Sequence, residues 1–328
     1  MNINKLLSLC KGKRTYIQAH NFPDPDALAS GHGLKRFLEN FGIECVLFYD
    51  GLLDKRACKK MIDFFHIDAI PLSSLPELND SDFLICVDSQ KHAANVTPLK
   101  KEISACIDHH PTFVPAEYEY KDIRITGSCS SIIAEYFKKA KIEPDTDTAN
   151  ALLYGMKIDT RQFSRGVTDL DIDMFRFIND YCDDNVLRKI SGNTIFFDDL
   201  KAYSSALETI QIYGTTGFAE IEFPCSDDII AMISDFFLSL EELELCVVYS
   251  RRSDGIKFSV RSKLAEIHAG NWVKSAIGQI GSGGGHAYMA GGVIPPENFF
   301  ALGQYPQETI RNIFLKAELE MKDSNQNP

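Results

Sequence analysis

The sequence lacks the features that mark membrane proteins, secreted proteins and disulfide-stabilised domains. No apolar run approaches the length needed to cross a bilayer. Residues 1–14 contain only a short apolar core and no small-residue cleavage site, so we expect no signal peptide. The nine cysteines are an odd number without a C-x-x-C pair, and four lie within apolar runs: Cys45, Cys86, Cys106 and Cys246. We therefore expect a cytoplasmic protein with neither a disulfide framework nor a zinc ribbon.

The sequence also lacks an excess of basic residues. Its 34 Lys and Arg residues stand against 46 Asp and Glu residues, for a formal net charge of −12. Proteins that hold long DNA or RNA through its phosphates normally present a basic face, so we expect no long duplex nucleic acid as a partner. The lack of a membrane-spanning run predicts no membrane partner either. A small anionic substrate is compatible with the charge, because bound divalent cations reverse the local field even where their ligands are acidic.

The length and composition predict an ordinary globular chain of two domains. The chain has 328 residues, of which 45% are hydrophobic and 24% charged. Its character changes around residues 183–193, and a mostly helical pattern follows as far as Ile212. We predict a first domain over residues 1–185, a largely helical connector over residues 186–212 and a second domain over residues 213–328.

The segment from His20 to Asp26, H-N-F-P-D-P-D, places one histidine and two carboxylates within seven residues. The run Thr15–Ala19 before it predicts a buried strand, and the apolar spacing over residues 27–40 predicts a helix. Two prolines keep the intervening backbone extended, which allows His20, Asp24 and Asp26 to converge. Asp26 alone has a simpler explanation as a helix cap, but the other two residues do not. The pattern indicates a metal site on a strand-to-helix turn.

Two further apolar runs end in polar clusters. Residues 82–87 lead into Asp88, and residues 103–107 lead into D-H-H at residues 108–110. Such runs are typical of strands covered on both faces, as in a parallel sheet. The ligand crevice of an open α/β sheet lies at the carboxyl ends of its strands, so we expect the three clusters to meet. The predicted fold is α/β, with a first domain built on a parallel sheet with helices on both faces and a smaller α/β second domain.

Asp159 and a later group of three acidic residues lead to opposite interpretations. Asp159 follows a predicted helix over residues 146–158, where a carboxylate is unfavourable with the helix dipole, and it is therefore a candidate fourth metal carboxylate. Asp169, Asp171 and Asp173 instead alternate with apolar residues at the start of another helical pattern, where acids are favourable. We interpret these three as a solvated helix start.

The second half contains a glycine-rich segment, Gly281–His286, that matches neither a Walker loop nor a dinucleotide fingerprint. One interpretation is a flexible loop. The other is an anion-binding loop, because consecutive glycines let backbone N–H groups approach a phosphate closely, and Arg261, Lys263 and His286 suit the same ligand. The sequence leaves both open. An earlier Gly-Ser segment, residues 127–131, is interpreted as a helix cap.

The candidate crevice combines histidines with carboxylates and contains no cysteine. Mixed nitrogen and oxygen ligation suits Mn²⁺, Co²⁺, Fe²⁺ or Mg²⁺ better than a structural zinc. More than four ligands indicate two ions, and a pair about 3.5–4 Å apart is a common device for displacement at phosphorus.

The order of these motifs resembles the DHH phosphoesterase superfamily over nearly the whole chain. The motifs are H-x-x-x-D-x-D at residues 20–26, V-D-S at residues 87–89, D-H-H at residues 108–110, Asp159, and G-G-G-H at residues 283–286. The closing G-G-G-H-x-x-x-A-G stretch resembles the subgroup with a DHH-associated C-terminal domain, the type that includes nano-RNases and 3′-phosphoadenosine-5′-phosphate (pAp) phosphatases.

The resemblance implies two Mn²⁺ ions per chain, with Mg²⁺ or Co²⁺ as alternatives, and a shared water as the nucleophile. The implied ligands are His20, Asp24 and Asp88 for the first ion, and Asp26, Asp88, His109 and Asp159 for the second, with Asp88 bridging. The resemblance further implies that His110 contacts the scissile phosphate and that Asp108 orients the neighbouring histidines.

In the second domain, the resemblance implies that Arg261 and the loop residues Gly283, Gly284, Gly285 and His286 hold the other end of the substrate. Neither half would then carry a complete site, and we predict that the two domains close over a short substrate. The segment R-Q-F-S-R-G at residues 161–166 is more basic than the family pattern.

The leading functional hypothesis is a Mn²⁺-dependent phosphodiesterase that hydrolyses very short oligonucleotides or dinucleotides to mononucleotides and also acts on pAp. The alternatives on the same metal core are an inorganic pyrophosphatase or exopolyphosphatase and a cyclic dinucleotide phosphodiesterase. A non-catalytic nucleotide sensor would be favoured by a lost ligand, and none is lost. The expected partner is a short phosphorylated substrate, and a homodimer is a candidate assembly.

Overall fold

A computed structural model describes residues 2–53, 56–191 and 195–326, and the chain divides into two units, residues 1–194 and residues 195–328. Gly192 and Asn193, at the end of the segment where the sequence changes character, lie outside the described residues. All nine cysteines carry free thiols. Within the described ranges, no helix is both long and apolar enough to cross a membrane.

The first unit is built on a parallel sheet, as predicted, and its described strands number six. They are β1 (Thr15–Ala19), β2 (Cys45–Tyr49), β3 (Ala69–Pro71), β4 (Phe83–Val87), β5 (Ala105–Asp108) and β6 (Tyr120–Ile123). Their order across the sheet is β3-β2-β1-β4-β5-β6, and every neighbouring pair is parallel. The strand order reverses between β1 and β4, which is where the crevice of such a sheet lies.

The α-helices of this unit pack on one face of the sheet. They are α1 (Ile3–Cys10), α2 (Pro25–Glu39), α3 (Arg56–Phe64), α4 (Cys129–Ala140), α5 (Thr146–Asp159), α6 (Asp169–Asn179) and α7 (Asp184–Ser191). Their buried side chains share one core with Ile17, Leu47 and Ile85 of the strands.

The sequence predicts helices on both faces of this sheet, but the opposite face is covered mainly by extended chain. There Tyr16, Phe48 and Leu84 pack against apolar side chains from the segment 70–118, whose described helical structure is one 3₁₀ turn, Leu72–Ser74. The connections in this segment contain several prolines, which disfavour α-helix and leave extended chain to cover the sheet.

The second unit is a smaller α/β domain, as predicted, with a mixed sheet. Its strands are β7 (Gln211–Tyr213), β8 (Thr216–Ile221), β9 (Leu245–Arg252), β10 (Gly255–Ser262), β11 (Ser282–Gly285) and β12 (Met289–Ile294). They run in the order β11-β12-β10-β9-β8-β7, with β8 and β9 parallel and the other neighbouring pairs antiparallel.

Helices cover both faces of this second sheet. They are α8 (Leu200–Thr209) and α9 (Asp227–Leu238) on one face, and α10 (Ala269–Ile277) and α11 (Pro306–Gln326) on the other. Two 3₁₀ turns, Phe197–Asp199 and Pro296–Leu302, complete the unit. The indole N–H of Trp272 in α10 donates to the carbonyl of Phe314 in α11 at 2.9 Å, which joins the two helices.

The glycine-rich segment is an edge strand, so the interpretation of it as a loop is wrong. Gly283 pairs with Gly292 across the antiparallel β11–β12 ladder. A Cβ atom at Gly283 would lie 2.9 Å from Cγ2 of Val273, and Gly285 has a positive φ of +153°. Glycine is therefore required at these two positions, by the close approach of α10 and by the backbone conformation respectively.

Candidate metal centre

The structure brings His20, Asp24 and Asp88 together at the carboxyl ends of β1 and β4. One ligand atom from each of the three lies within 4.8 Å of those of the other two. Nε2 of His20 is 3.8 Å from Oδ1 of Asp24 and 3.8 Å from Oδ2 of Asp88. This first cluster therefore has the residue types and the spacing of a cation site.

A second cluster contains Asp26, His109 and Asp159. Nε2 of His109 lies 3.9 Å from Oδ2 of Asp26 and 3.3 Å from Oδ2 of Asp159. The same nitrogen lies 3.3 Å from Oδ1 of Asp88. The two oxygens of Asp88 therefore face different clusters, and together the clusters contain all six residues that the sequence predicts as metal ligands.

Local folding explains why the two aspartates of the first motif separate. Asp24 is the N-cap of α2, because its Oδ1 accepts hydrogen bonds from the backbone N–H groups of Asp26 and Ala27, both at 3.0 Å. Asp26 is therefore not the cap. Its buried carboxylate instead accepts from the backbone N–H groups of Cys129 at 2.7 Å and Ser130 at 3.0 Å, in the first turn of α4. The start of one helix thus holds a side chain from another.

The hydrogen bonds of the two histidines set their tautomers. Nδ1 of His20 is 2.9 Å from the carbonyl of Asn21, and Nδ1 of His109 is 3.0 Å from the carbonyl of Thr126. A carbonyl only accepts, so each Nδ1 carries a proton and donates it. In the neutral ring this leaves the Nε2 lone pair toward the carboxylates, which is the orientation of a metal-ligating histidine.

The electrostatics of the clusters also fit a cation. Burial, reinforced by the charge of Asp26, raises the pKa of Asp88 to about 6, and burial likewise raises the pKa values of Asp26 and Asp159. Burial alone would lower the pKa of His109, but the adjacent carboxylates outweigh it and raise this pKa to about 11.

One oxygen of the Asp88 carboxylate indicates whether the two clusters suit a metal ion. Oδ1 of Asp88 is buried, and Nε2 of His109, 3.3 Å away, turns a lone pair toward it in the neutral ring. This oxygen therefore lacks a hydrogen-bond donor among the described residues, which is costly for a carboxylate. The surrounding donor set consists of histidine nitrogens and carboxylates without thiolate. This set fits a divalent metal ion.

His110 stands beside the clusters and is oriented by Asp108. Nδ1 of His110 donates to Oδ1 of Asp108 at 2.9 Å, and the His110 side chain is 47% exposed, so its other nitrogen is open to a ligand. Burial would raise the pKa of Asp108, but the hydrogen bond from His110 and neighbouring charge hold it below its usual range. Asp108 is fully buried, as expected for a residue that orients another.

Gln90 contacts the D-H-H motif and is not singled out by the sequence analysis. Its side-chain amide donates to Oδ2 of Asp108 at 2.7 Å and to the carbonyl of His110 at 3.0 Å. Gln90, in the segment after β4, therefore holds both the first and the last residue of the D-H-H motif. The only signal in the sequence is a polar residue two positions after Asp88, which no periodic pattern distinguishes.

The interpretation of Asp169, Asp171 and Asp173 as a solvated helix start is wrong for Asp171. Asp171 is fully buried, and its carboxylate accepts from the N–H of Gly127 at 2.8 Å and from Oγ of Ser131 at 2.6 Å. It also accepts from the N–H of Thr168 at 2.8 Å, as in a capping box. The spacing T-x-x-D was the available signal. Asp171 thus ties α6 to the first turn of α4, whose N–H groups hold Asp26.

Asp159 is the last residue of α5, where its charge opposes the helix dipole. Arg165 offsets this, because its Nη2 donates to the carbonyl of Asp159 at 2.7 Å and lies 3.5 Å from its Oδ1. Residues 161–163 between them have positive φ angles of 47°, 56° and 60°. The basic segment that departs from the family pattern therefore folds back onto a candidate ligand.

Of the five predicted substrate-binding residues of the second unit, two line a common cavity and three do not. Arg261 and Gly283 line a cavity of about 590 Å³, together with Asp227 and Lys257. The guanidinium of Arg261 is nearly buried, and its Nε donates to Oδ1 of Asp235 at 2.6 Å. The other three predicted residues, Gly284, Gly285 and His286, are exposed and do not belong to the described lining of this cavity.

Family models match most of the chain. Residues 14–156 match the N-terminal domain of the DHH family, and residues 214–312 match the DHHA1 domain. The chain belongs to the DHH superfamily of phosphoesterases and carries a C-terminal DHHA1 domain. Members of this family hydrolyse phosphoric ester or anhydride bonds.

Curated relatives are similar over different shares of the chain. An uncharacterised protein of Methanocaldococcus jannaschii is 27% identical over 304 residues, which cover 92% of this chain and 62% of that protein. A probable manganese-dependent inorganic pyrophosphatase of Streptococcus thermophilus is 25% identical over 150 residues, or 45% of this chain and 48% of that protein. The cyclic-di-AMP phosphodiesterase GdpP of Geobacillus thermodenitrificans is 22% identical over 324 residues, or 93% and 48%. This chain thus spans between 48% and 62% of their lengths.

Among solved structures, an exopolyphosphatase-related protein from Bacteroides fragilis has the same fold. The two superpose with a TM-score of 0.75 over 98% of this chain and 97% of that one, at 16% sequence identity. At this identity the likeness extends to the fold alone.

Proposed function

We propose that the protein is a metal-dependent phosphodiesterase that hydrolyses dinucleotides and very short oligonucleotides, and that it also removes phosphate from pAp. The observation that carries the proposal is the placement of Asp88, whose two oxygens face two histidine–carboxylate clusters. A carboxylate in this position is suited to bridge a pair of cations. Membership of the DHH superfamily supports hydrolysis at phosphorus.

In the proposed site, two sets of side chains hold two divalent ions. The sets are His20, Asp24 and Asp88 for one ion, and Asp26, Asp88, His109 and Asp159 for the other. Mn²⁺ is the proposed ion, with Mg²⁺ or Co²⁺ as alternatives, because a mixed nitrogen and oxygen set suits all three. When bound, the ions would supply Lewis-acid activation of the phosphate and of the attacking water.

His110 is proposed to contact the scissile phosphate. Its Nδ1 is committed to Asp108, so its other ring nitrogen remains for a substrate oxygen. Asp108 in turn accepts from Gln90, and this chain of hydrogen bonds prevents the imidazole from rotating. The arrangement orients one donor or acceptor toward the substrate without further reorganisation.

The cavity of the second unit is proposed to bind an anionic part of the substrate remote from the reacting bond. Arg261 and Lys257 line it together with one acid, Asp227, so the lining carries an excess of positive charge even though Lys257 also lies 3.2 Å from Asp254. Asp235 holds the Arg261 guanidinium from the side, with its own side chain 56% exposed. Arg261 is a fixed donor for a phosphate oxygen in this proposal, since its stem is buried in the sheet.

The second candidate function is hydrolysis of pyrophosphate, which the similarity to a probable manganese-dependent pyrophosphatase favours. That similarity covers 45% of this chain, whereas the similarity to a cyclic-di-AMP phosphodiesterase covers 93%. The cavity beside His110 also favours an organic group, because apolar residues share its lining and its lysine, Lys91, is paired with Glu102. A phosphodiester is therefore the preferred substrate, with a cyclic dinucleotide as a further candidate.

A substrate panel tests the proposal. The purified protein with Mn²⁺ is assayed at fixed salt against pAp, pApA, cyclic di-AMP, pyrophosphate and an RNA length series. We expect the highest kcat/KM for the shortest RNA substrates and loss of activity with EDTA that Mn²⁺ restores. Rapid pyrophosphate turnover with untouched dinucleotides would overturn the proposal. So would a rate that climbs steadily with RNA length.

A further inference from the structure

A cavity of about 220 Å³ adjoins the candidate metal centre within the first unit. Its lining includes Asp88, His110 and three uncharged residues from the segment that follows His110: Pro111, Phe113 and Val114. The loop after β5 supplies four of these five side chains. The same short loop therefore presents the proposed phosphate-contacting histidine and an apolar surface in one cavity.

Phe113 and Val114 are unusually open to solvent for apolar side chains. The Phe113 side chain is 89% exposed and that of Val114 is 53% exposed. An isolated exposed apolar residue needs no explanation, but this pair lies in a cavity that also reaches Asp88 and His110. An aromatic ring in a ligand cavity offers a flat surface on which another ring can stack.

The charged groups of the cavity argue against a second phosphate at this position. Lys91 lines the cavity, but its ammonium group is paired with the carboxylate of Glu102. His110, also in the lining, is already assigned to the scissile phosphate, and its Nδ1 is paired with Asp108. A group that is flat, uncharged and attached to a phosphate fits this surface better than an inorganic anion. In a nucleotide, that group is the base.

We propose that Phe113 and Val114 form a stacking surface for the nucleobase next to the scissile phosphate. The inference rests on the proposed function and deepens it, since it makes the substrate a nucleotide and assigns a residue to that preference. Because every base has a π face, stacking recognises a base without selecting its identity. The backbone between His110 and Phe113 spans at most about 11 Å, so both contacts fall on one small ligand.

The test compares Phe113→Ala, Phe113→Tyr and the matched control Phe300→Ala, whose phenylalanine is 82% exposed in the second unit. Each is assayed with Mn²⁺ on pApA and on abasic analogues in which one adenine or the other is replaced by hydrogen. Phe113→Ala is expected to lower kcat/KM for pApA by about tenfold or more. It should leave at least one abasic analogue unchanged, whereas Phe113→Tyr and Phe300→Ala keep the wild-type rates. Equal losses on pApA and both analogues, or no loss, would overturn the inference.

A binding measurement separates this inference from the proposed reaction. A dinucleotide that contains 2-aminopurine and a non-hydrolysable phosphonate linkage is titrated with protein and Mg²⁺, and quenching of its fluorescence reports stacking. Quenching that weakens in Phe113→Ala but not in Phe300→Ala supports the inference, even if the wild-type protein hydrolyses no phosphodiester and the proposed function fails. Normal hydrolysis with quenching that is absent, or identical in all variants, would reject the inference and leave the proposed function standing.

Discussion

Oδ1 of Asp88 lies 3.3 Å from Nε2 of His109, although the two residues follow different strands of the sheet. Asp88 directly follows β4 and has a left-handed backbone conformation, with φ of +57°. This conformation is uncommon outside glycine and is tolerated best by Asp, Asn and His. Its backbone N–H donates to the carbonyl of Ile107 at 3.0 Å. Pairing between β4 and β5 therefore determines which groups the Asp88 carboxylate can reach.

Replacing the shared carboxylate should remove both function and metal. We expect Asp88→Ala to abolish turnover and to lower the metal content, because one side chain serves both clusters and the alanine leaves the histidines without their common partner. Activity assays and metal analysis of the purified variant provide the measurement. Asp173→Ala, on the exposed side of α6, is the control and should behave as wild type. Two ions per chain in Asp88→Ala would contradict the bridging assignment.

Asp171 should stabilise the fold and support the metal centre indirectly. Asp171→Ala leaves buried donors of Gly127 and Ser131 without an acceptor, so we expect a loss of at least about 2 kcal/mol in the free energy of unfolding. Weaker Mn²⁺ binding should accompany it, because α4 presents the N–H groups that hold Asp26. Urea unfolding and calorimetric titration measure the two effects. Asp169→Ala, exposed in the same helix turn, is the control, and equal stability of the two variants would refute the role.

Gln90 should affect turnover more than binding. Gln90→Leu keeps the size of the side chain but removes the donor to Asp108, which frees the His110 ring. We expect kcat to fall by about 10- to 100-fold, the usual effect of losing an outer hydrogen-bond partner. KM and metal content should stay near their wild-type values. Steady-state kinetics provide the measurement, with the same change at an exposed glutamine of the second unit, Gln304→Leu, as the control. A rise in KM alone would assign Gln90 to substrate binding instead.

Arg261 should discriminate between substrates by their remote phosphate. We expect Arg261→Ala to raise KM for pApA far more than it lowers turnover of a minimal diester such as bis(p-nitrophenyl) phosphate. The reason is that Arg261 lines the cavity of the second unit and none of the candidate metal residues belongs to that lining. Arg311→Ala, which removes an arginine of the same unit that does not belong to the described lining of this cavity, is the control. Similar losses on both substrates would place Arg261 at the chemistry.

Local sequence patterns were sufficient for the elements that carry the candidate ligands. The strand Thr15–Ala19 was predicted with the bounds that the structure has. Asp88 and the D-H-H triplet follow or end buried strands, as their apolar runs indicated. Period and burial are properties of neighbouring residues, so they can be predicted without knowledge of the rest of the chain. The expectation that the clusters share one edge followed from the parallel arrangement of such strands.

Other features depended on partners that are distant in sequence. The carboxylate of Asp26 accepts from Cys129, 103 residues away, and burial of Asp171 depends on the loop before α4. The glycine-rich segment forms a strand because β12 and α10 pack against it, and the lone segment resembled a loop. The sequence alone thus determined the fold class and the residue types of the candidate metal centre. Only the tertiary structure decided which acids are buried and what holds them, because hydrogen-bond partners and close packing are set by elements that meet after folding.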